Sequence, residues 1–120
     1  MYEKMDLEAI CKKYSDALGD PDASKATEVR RVLRGTRIDF TLLFKSAQTD
    51  PEDVNALAVT VFKPATAKTS TKHVLFSVPK TGNEKLTELD EGRRIRVKGA
   101  IRSIGLDAVF LEPDAEYEVQ

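Results

Sequence analysis

Leu86-Thr87-Glu88-Leu89-Asp90-Glu91-Gly92-Arg93-Arg94-Ile95-Arg96-Val97-Lys98-Gly99-Ala100-Ile101 decides how this 120-residue chain is read. A short helical turn runs through Leu86 and Leu89 into Gly92, and a strand follows it. Strand side chains alternate between the two faces. Ile95, Val97 and Ile101 therefore share one face, and Arg94, Arg96 and Lys98 share the other. Gly105 then leads into Leu106-Asp107-Ala108-Val109-Phe110-Leu111, the second arm of a hairpin. Register is strict here, because a slip of one residue would bury three cations.

Upstream, the alternation continues. Val32, Ile38, Phe40, Leu42 and Phe44 share even positions in a long strand region from Val29 to Ser46, with Gly35 at a bend. Gln48 to Asp53 is a turn by composition. A second strand covers Asn55 to Lys63, and Pro64 stops it for want of an amide hydrogen. Residues 65–71 read as an exposed loop. A third strand, Lys72 to Val78, turns Val74, Phe76 and Val78 inward, and Thr81 or Asn83 is placed to cap the short helix that follows. Residues 2 to about 18 have helical apolar spacing through Met5, Leu7, Ile10, Cys11, Tyr14 and Leu18. Gly19-Asp20-Pro21-Asp22 ends that helix, glycine tolerating a left-handed cap. Ala23 to Glu28 adds a further turn, and the tail from Pro113 carries a last extended segment through Tyr117 and Val119.

The order is helix, three strands, short helix, two strands. It resembles an oligonucleotide/oligosaccharide-binding (OB) fold over Val29 to Glu112. The closing block Gly92-Arg93-Arg94-Ile95-Arg96-Val97-Lys98-Gly99-Ala100-Ile101 is similar to that of small bacterial tRNA-anticodon-binding-like OB domains, with Ile95 where those carry valine. The resemblance implies a mainly β fold: a five-stranded antiparallel OB-type barrel, an N-terminal amphipathic helix, and a short helix between strands three and four. It divides the chain into an N-terminal helical extension, 1–28, and an OB-like barrel, 29–120. Leu86 and Leu89 should plug one end. Ile95, Val97, Ile101, Phe40, Leu42, Phe76 and Phe110 should form the core. Fold alone does not assign function.

Charge is segregated. Fifteen Lys and Arg against eight Asp and Glu between Val29 and Ile104 leave +7, whereas the first 28 residues carry −3 and residues 105–120 carry −5. Such a basic middle suits a groove that attracts phosphates. The alternative is that mixed charges simply keep the domain soluble. Nucleic-acid-binding OB domains also stack bases on exposed rings. Here Phe40, Phe44, Phe76 and Phe110 fall on apolar faces, which leaves Phe62 beside Lys63; Tyr2 and Tyr117 lie in terminal segments. The candidate nucleic-acid-binding residues are therefore Arg37, Phe62, Lys63, Lys72, Arg94, Arg96, Lys98 and Arg102.

Catalytic chemistry is not indicated. His73 is the only histidine and Cys11 the only cysteine, so no histidine pair, disulfide or cysteine-based metal site can be built within the chain. Cys11 reads as a half-buried helix residue, and Asp90 and Glu91 as turn residues. The alternating Asp114, Glu116 and Glu118 read as an acidic edge that discourages strand addition. Gly82-Asn83-Glu84-Lys85 lacks the spacing of a phosphate loop. No cofactor is expected. No apolar run approaches the roughly 18 residues of a membrane span. Met1 to Ile10 has no apolar leader core, so the chain is expected in the cytoplasm unless a leader has been removed. Two functions remain: a small non-catalytic binding module for single-stranded nucleic acid, using the basic strand face, or a protein-interaction domain using the N-terminal helix or a barrel edge.

Overall fold

The computed structural model describes residues 6–120. The start of the first helix at residue 2, with Tyr2 and Met5, lies outside the described residues. Helix α1 (Leu7–Leu18) opens at Asp6, whose Oδ1 accepts a hydrogen bond from the Ala9 N–H at 2.7 Å. That carboxylate satisfies one of the amide hydrogens orphaned at a helix start. Leu7, Ile10, Cys11, Tyr14 and Ala17 form its buried stripe. Gly19 closes the helix with φ −80°, in the right-handed region rather than the left-handed one glycine permits.

Helix α2 (Ser24–Leu33) corrects the sequence reading, which began a strand at Val29. Val29 and Leu33 sit four residues apart, a spacing that suits a helix face as well as alternating strand positions. The structure uses the helical option, burying Leu33 and leaving Val32 59% exposed instead of inward. Gly35, at φ +86°, makes the turn that lets the first strand begin.

The strands are β1 (Arg37–Asp50), β2 (Asp53–Lys63), β3 (Lys72–Pro79), β4 (Arg94–Ile104), β5 (Ala108–Leu111) and β6 (Glu116–Val119). β1 pairs with β2, β2 with β3, β3 with β5, β5 with β4, and β4 returns to β1, so five strands close a ring. Every one of these ladders is antiparallel except the short β3–β5 contact, His73–Leu75 against Ala108–Phe110. The protein is thus mainly β, with a six-stranded mixed sheet. β6 is the added strand, and it pairs with β4 outside the ring.

Val59, Val61, Val74, Ile95, Val97, Ile101 and Val109 fill the interior at 0–1% exposure. Each fully buried Val or Ile stabilises by about 1.5–3 kcal/mol relative to leaving it in water. Of the predicted core, Ile95, Val97, Ile101, Leu42 and Phe76 are buried and Phe40 is partly buried against them. Phe110 is not core. Val109 and Leu111 take the inward positions of β5, so alternation turns Phe110 outward, 40% exposed.

α1 covers one end of the ring, its Glu8 Oε1 lying 3.0 Å from Lys63 Nζ at the end of β2. At the other end the short helix expected between β3 and β4 is a five-residue 3-10 helix, Glu84–Glu88. Leu86 is buried there and Leu89 packs against the core. Asn83 makes no side-chain cap. Its Nδ2 donates to the Pro79 carbonyl at 2.7 Å, and its Oδ1 accepts from the Tyr117 hydroxyl of β6. The Tyr117 ring stands 6.2 Å from Phe76, which ties β6 to the core. Gly92, at φ +94°, turns the chain into β4, and its N–H donates to the Phe44 carbonyl at 2.8 Å. Among the described residues no helix is long and apolar enough to cross a membrane.

Candidate binding surfaces

The eight residues singled out in the sequence fall into three places. Arg37, Arg94, Arg96, Lys98 and Arg102 belong to the outer face of β1 and β4, where Arg37 is the partner of Ala100 and Lys98 that of Asp39. Lys63 and Lys72 lie elsewhere, at the ring end beneath α1. Lys63 pairs with Glu8, and Lys72 Nζ is 2.6 Å from Asp107 Oδ1. Phe62 is half-buried at the end of β2, paired with Leu43 on one side and His73 on the other.

Acids face the cations of β4. Arg96 makes a two-pronged contact to Asp39, Nε to Oδ1 at 2.9 Å and Nη2 to Oδ2 at 2.7 Å. That hydrogen bonding holds the guanidinium still more firmly charged. On the opposite side β6 sets Glu118 beside Arg96 and Glu116 beside Lys98. The acidic tail noted in the sequence therefore lies along the basic strand. The missed signal was the period of two that Glu116 and Glu118 share with Arg96 and Lys98.

A cleft of about 670 Å³ opens between the start of α1 and β1. It brings Phe62, Lys63 and Arg94 together with Phe40, Leu43 and Asp39. The cleft exists because β2 stops at Pro64. That proline has no amide to continue the ladder, so the pairing with β1 ends at Leu43–Phe62.

The outer face of β2, β3 and β5 is the third surface. Thr60, Leu75 and Phe110 form one row across it, and Phe62, His73 and Ala108 the next. Leu75 and Phe62 are half-buried and Phe110 is exposed, so two phenylalanines and a leucine look outward together. Lys45, set at a register shift of β1, brings its Nζ to 3.5 Å from His73 Nε2. Sequence reasoning missed this patch because it placed Phe110 inside.

Beneath α1, Ser70 and Lys72 both donate to Asp107 Oδ1, at 2.8 and 2.6 Å. These bonds, the one from Lys72 first, hold the carboxyl below its usual range. Cys11 borders the same hollow at 1% exposure, and burial pushes its thiol up. Compared with models of known protein families and with curated proteins, the chain matches none.

Proposed function

We propose that this chain is an OB-type barrel serving as a non-catalytic binding module, and that its ligand is a protein partner. The barrel reading is supported by the ring order β1-β2-β3-β5-β4, by the parallel β3–β5 contact and by the plugging turn between β3 and β4. It agrees with the Gly92 to Gly105 block from which the resemblance was drawn.

The observation that carries the protein-partner reading is charge matching on β4. Arg96 and Lys98 each face acids, Asp39 on one side and Glu116 or Glu118 on the other. Acids set beside these two cations weaken the pull they exert on phosphates. The neighbouring outer face instead presents Phe62, Leu75 and Phe110 in adjoining rows of three paired strands. Burying aromatic side chains of this kind is how protein interfaces gain most of their energy.

One observation favours single-stranded nucleic acid as a second reading. Phe62 meets Arg94 at the 670 Å³ cleft, and Arg94 makes no ion pair among the described residues. A base on the ring with a phosphate on the guanidinium would use both. Titrating a labelled oligothymidylate at low ionic strength separates the two readings. No binding by wild type is the expected result. Binding that weakens with salt, by a log–log slope of about −0.7 per phosphate, and that is lost in Arg94→Ser would put nucleic acid first. For the protein reading, partners retained by wild type and released by Phe110→Ser are purified and titrated calorimetrically. If no purified partner distinguishes the two proteins, the apolar face is not the ligand surface.

A further inference from the structure

We infer that the stretch of β4 now covered by β6 is a docking position for an extended acidic peptide, and that β6 holds this position in cis. β4 is fully engaged elsewhere. β1 runs along one edge from Arg94 to Ala100, and β5 pairs with the other from Ile101 to Ile104. The remaining edge, Ile95 to Lys98, is covered by β6.

The match between the two strands defines what fits. Glu116 and Glu118 stand opposite Lys98 and Arg96 on the outer face, while Tyr117 and Val119 stand opposite Val97 and Ile95 on the inner one. Successive cations on one face of a strand lie about 6.6 Å apart, two rises of the backbone. A chain that answers them must be extended and carry an acid at every second residue, with apolar residues between. β6 has that pattern. A helix, or a chain of mixed charge, does not.

β6 is also a thin cover. It is four residues long, and Glu116, Glu118 and Val119 are exposed. Neither glutamate reaches a cation within ion-pair distance among the described residues, and Arg96 gives its two-pronged contact to Asp39 instead. Tyr117 anchors it through Phe76 and Asn83, and beyond its end the Gln120 N–H donates to the Arg94 carbonyl at 2.9 Å while the Gln120 carbonyl accepts from Arg93 Nε at 3.1 Å. A tethered strand competes at millimolar effective concentration, so an outside peptide wins where the anchor or the charge match of β6 is weakened. This position differs from the apolar face proposed above, and its test is independent of that one.

The probe is a fluorescein-labelled synthetic peptide with the sequence of Asp114 to Gln120, titrated by anisotropy against three full-length proteins: wild type, Tyr117→Ala, and Glu116→Lys/Glu118→Lys. The peptide should bind both variants at least about tenfold more tightly than wild type, because the cis competitor has been weakened. Binding should fall with salt, and a peptide with lysine in place of both glutamates should bind about tenfold more weakly or not at all. Circular dichroism establishes that each variant is folded. If Tyr117→Ala is not, the double lysine variant carries the test. Absence of any gain on a folded variant, or equal binding of the acidic and the lysine peptides, overturns the inference.

Discussion

A Cβ placed on Gly99 would stand 3.0 Å from the Cβ of Ala115. Gly99 sits in the middle of β4, and its backbone lies in no region reserved for glycine. What excludes a side chain is the close passage of the segment leading into β6, together with Leu111 Cδ1 at 3.3 Å. Gly99→Ala should therefore destabilise by about 1–3 kcal/mol, the usual cost of overpacking. Much of that loss should return in Gly99→Ala/Ala115→Gly. Urea unfolding of wild type, Gly99→Ala, Ala115→Gly and the double variant checks this, and an unchanged midpoint in Gly99→Ala would show that the β6 segment moves aside freely.

Two phenylalanines on neighbouring strands should behave differently. Phe76 is 4% exposed, and its truncation to alanine should cost about 3–5 kcal/mol. Phe110, at 40% exposure, should cost about 1 kcal/mol or less when truncated, the range of surface changes. Thermal melts of Phe76→Ala and Phe110→Ala measure the contrast. Equal losses would return Phe110 to the core.

Residues that differ in polarity made the fold legible. Arg94, Arg96 and Lys98 against Ile95 and Val97 leave only one sensible register, and β4 follows it. Pro64 and Gly92 marked where β2 ends and β4 begins for reasons of backbone chemistry alone. Apolar residues with no polar neighbour to orient them were ambiguous. Val29 and Leu33 fit either period, and Ala108-Val109-Phe110-Leu111 is apolar throughout, so nothing local told which side Phe110 would take. The site was harder because its parts are distant in sequence. Asp39 meets Arg96 across 57 positions and Lys72 meets Asp107 across 35, pairings that only the strand order creates.

Asp107 should titrate abnormally. Hydrogen bonds from Lys72 and then Ser70 hold its carboxyl below the ordinary 3.8, so the folded state favours the charged form. Its stabilising effect is present above the unfolded value and is lost as pH falls through the lower folded one. The stability difference between wild type and Asp107→Asn should thus be seen at neutral pH and vanish in strong acid. Carboxyl NMR titration reads the same group directly. A midpoint at or above 3.8 would mean that the Lys72 contact does not persist in solution.

Cys11 should be a silent thiol in the folded protein. It is 1% exposed on the inward side of α1, and burial, the largest influence, raises its pKa above the ordinary 9.0, with Lys72 opposing. Both effects suppress attack on a disulfide reagent, because the thiolate is the reactive form and the sulfur is covered. Labelling by such a reagent should therefore proceed only through opening of α1, and should quicken sharply in urea. The same burial fixes the sign of an alkaline effect. The folded state keeps the thiol protonated while the unfolded chain ionises it, so the contribution of Cys11 is intact below 9.0 and is lost as pH rises towards the folded value. Cys11→Ala lacks that titration, and other ionising groups cancel in the difference between the two proteins. Wild type should therefore lose stability relative to Cys11→Ala as the solution becomes strongly alkaline. A constant difference, or rapid native labelling at neutral pH, would place Cys11 at the surface and α1 away from the end of the ring.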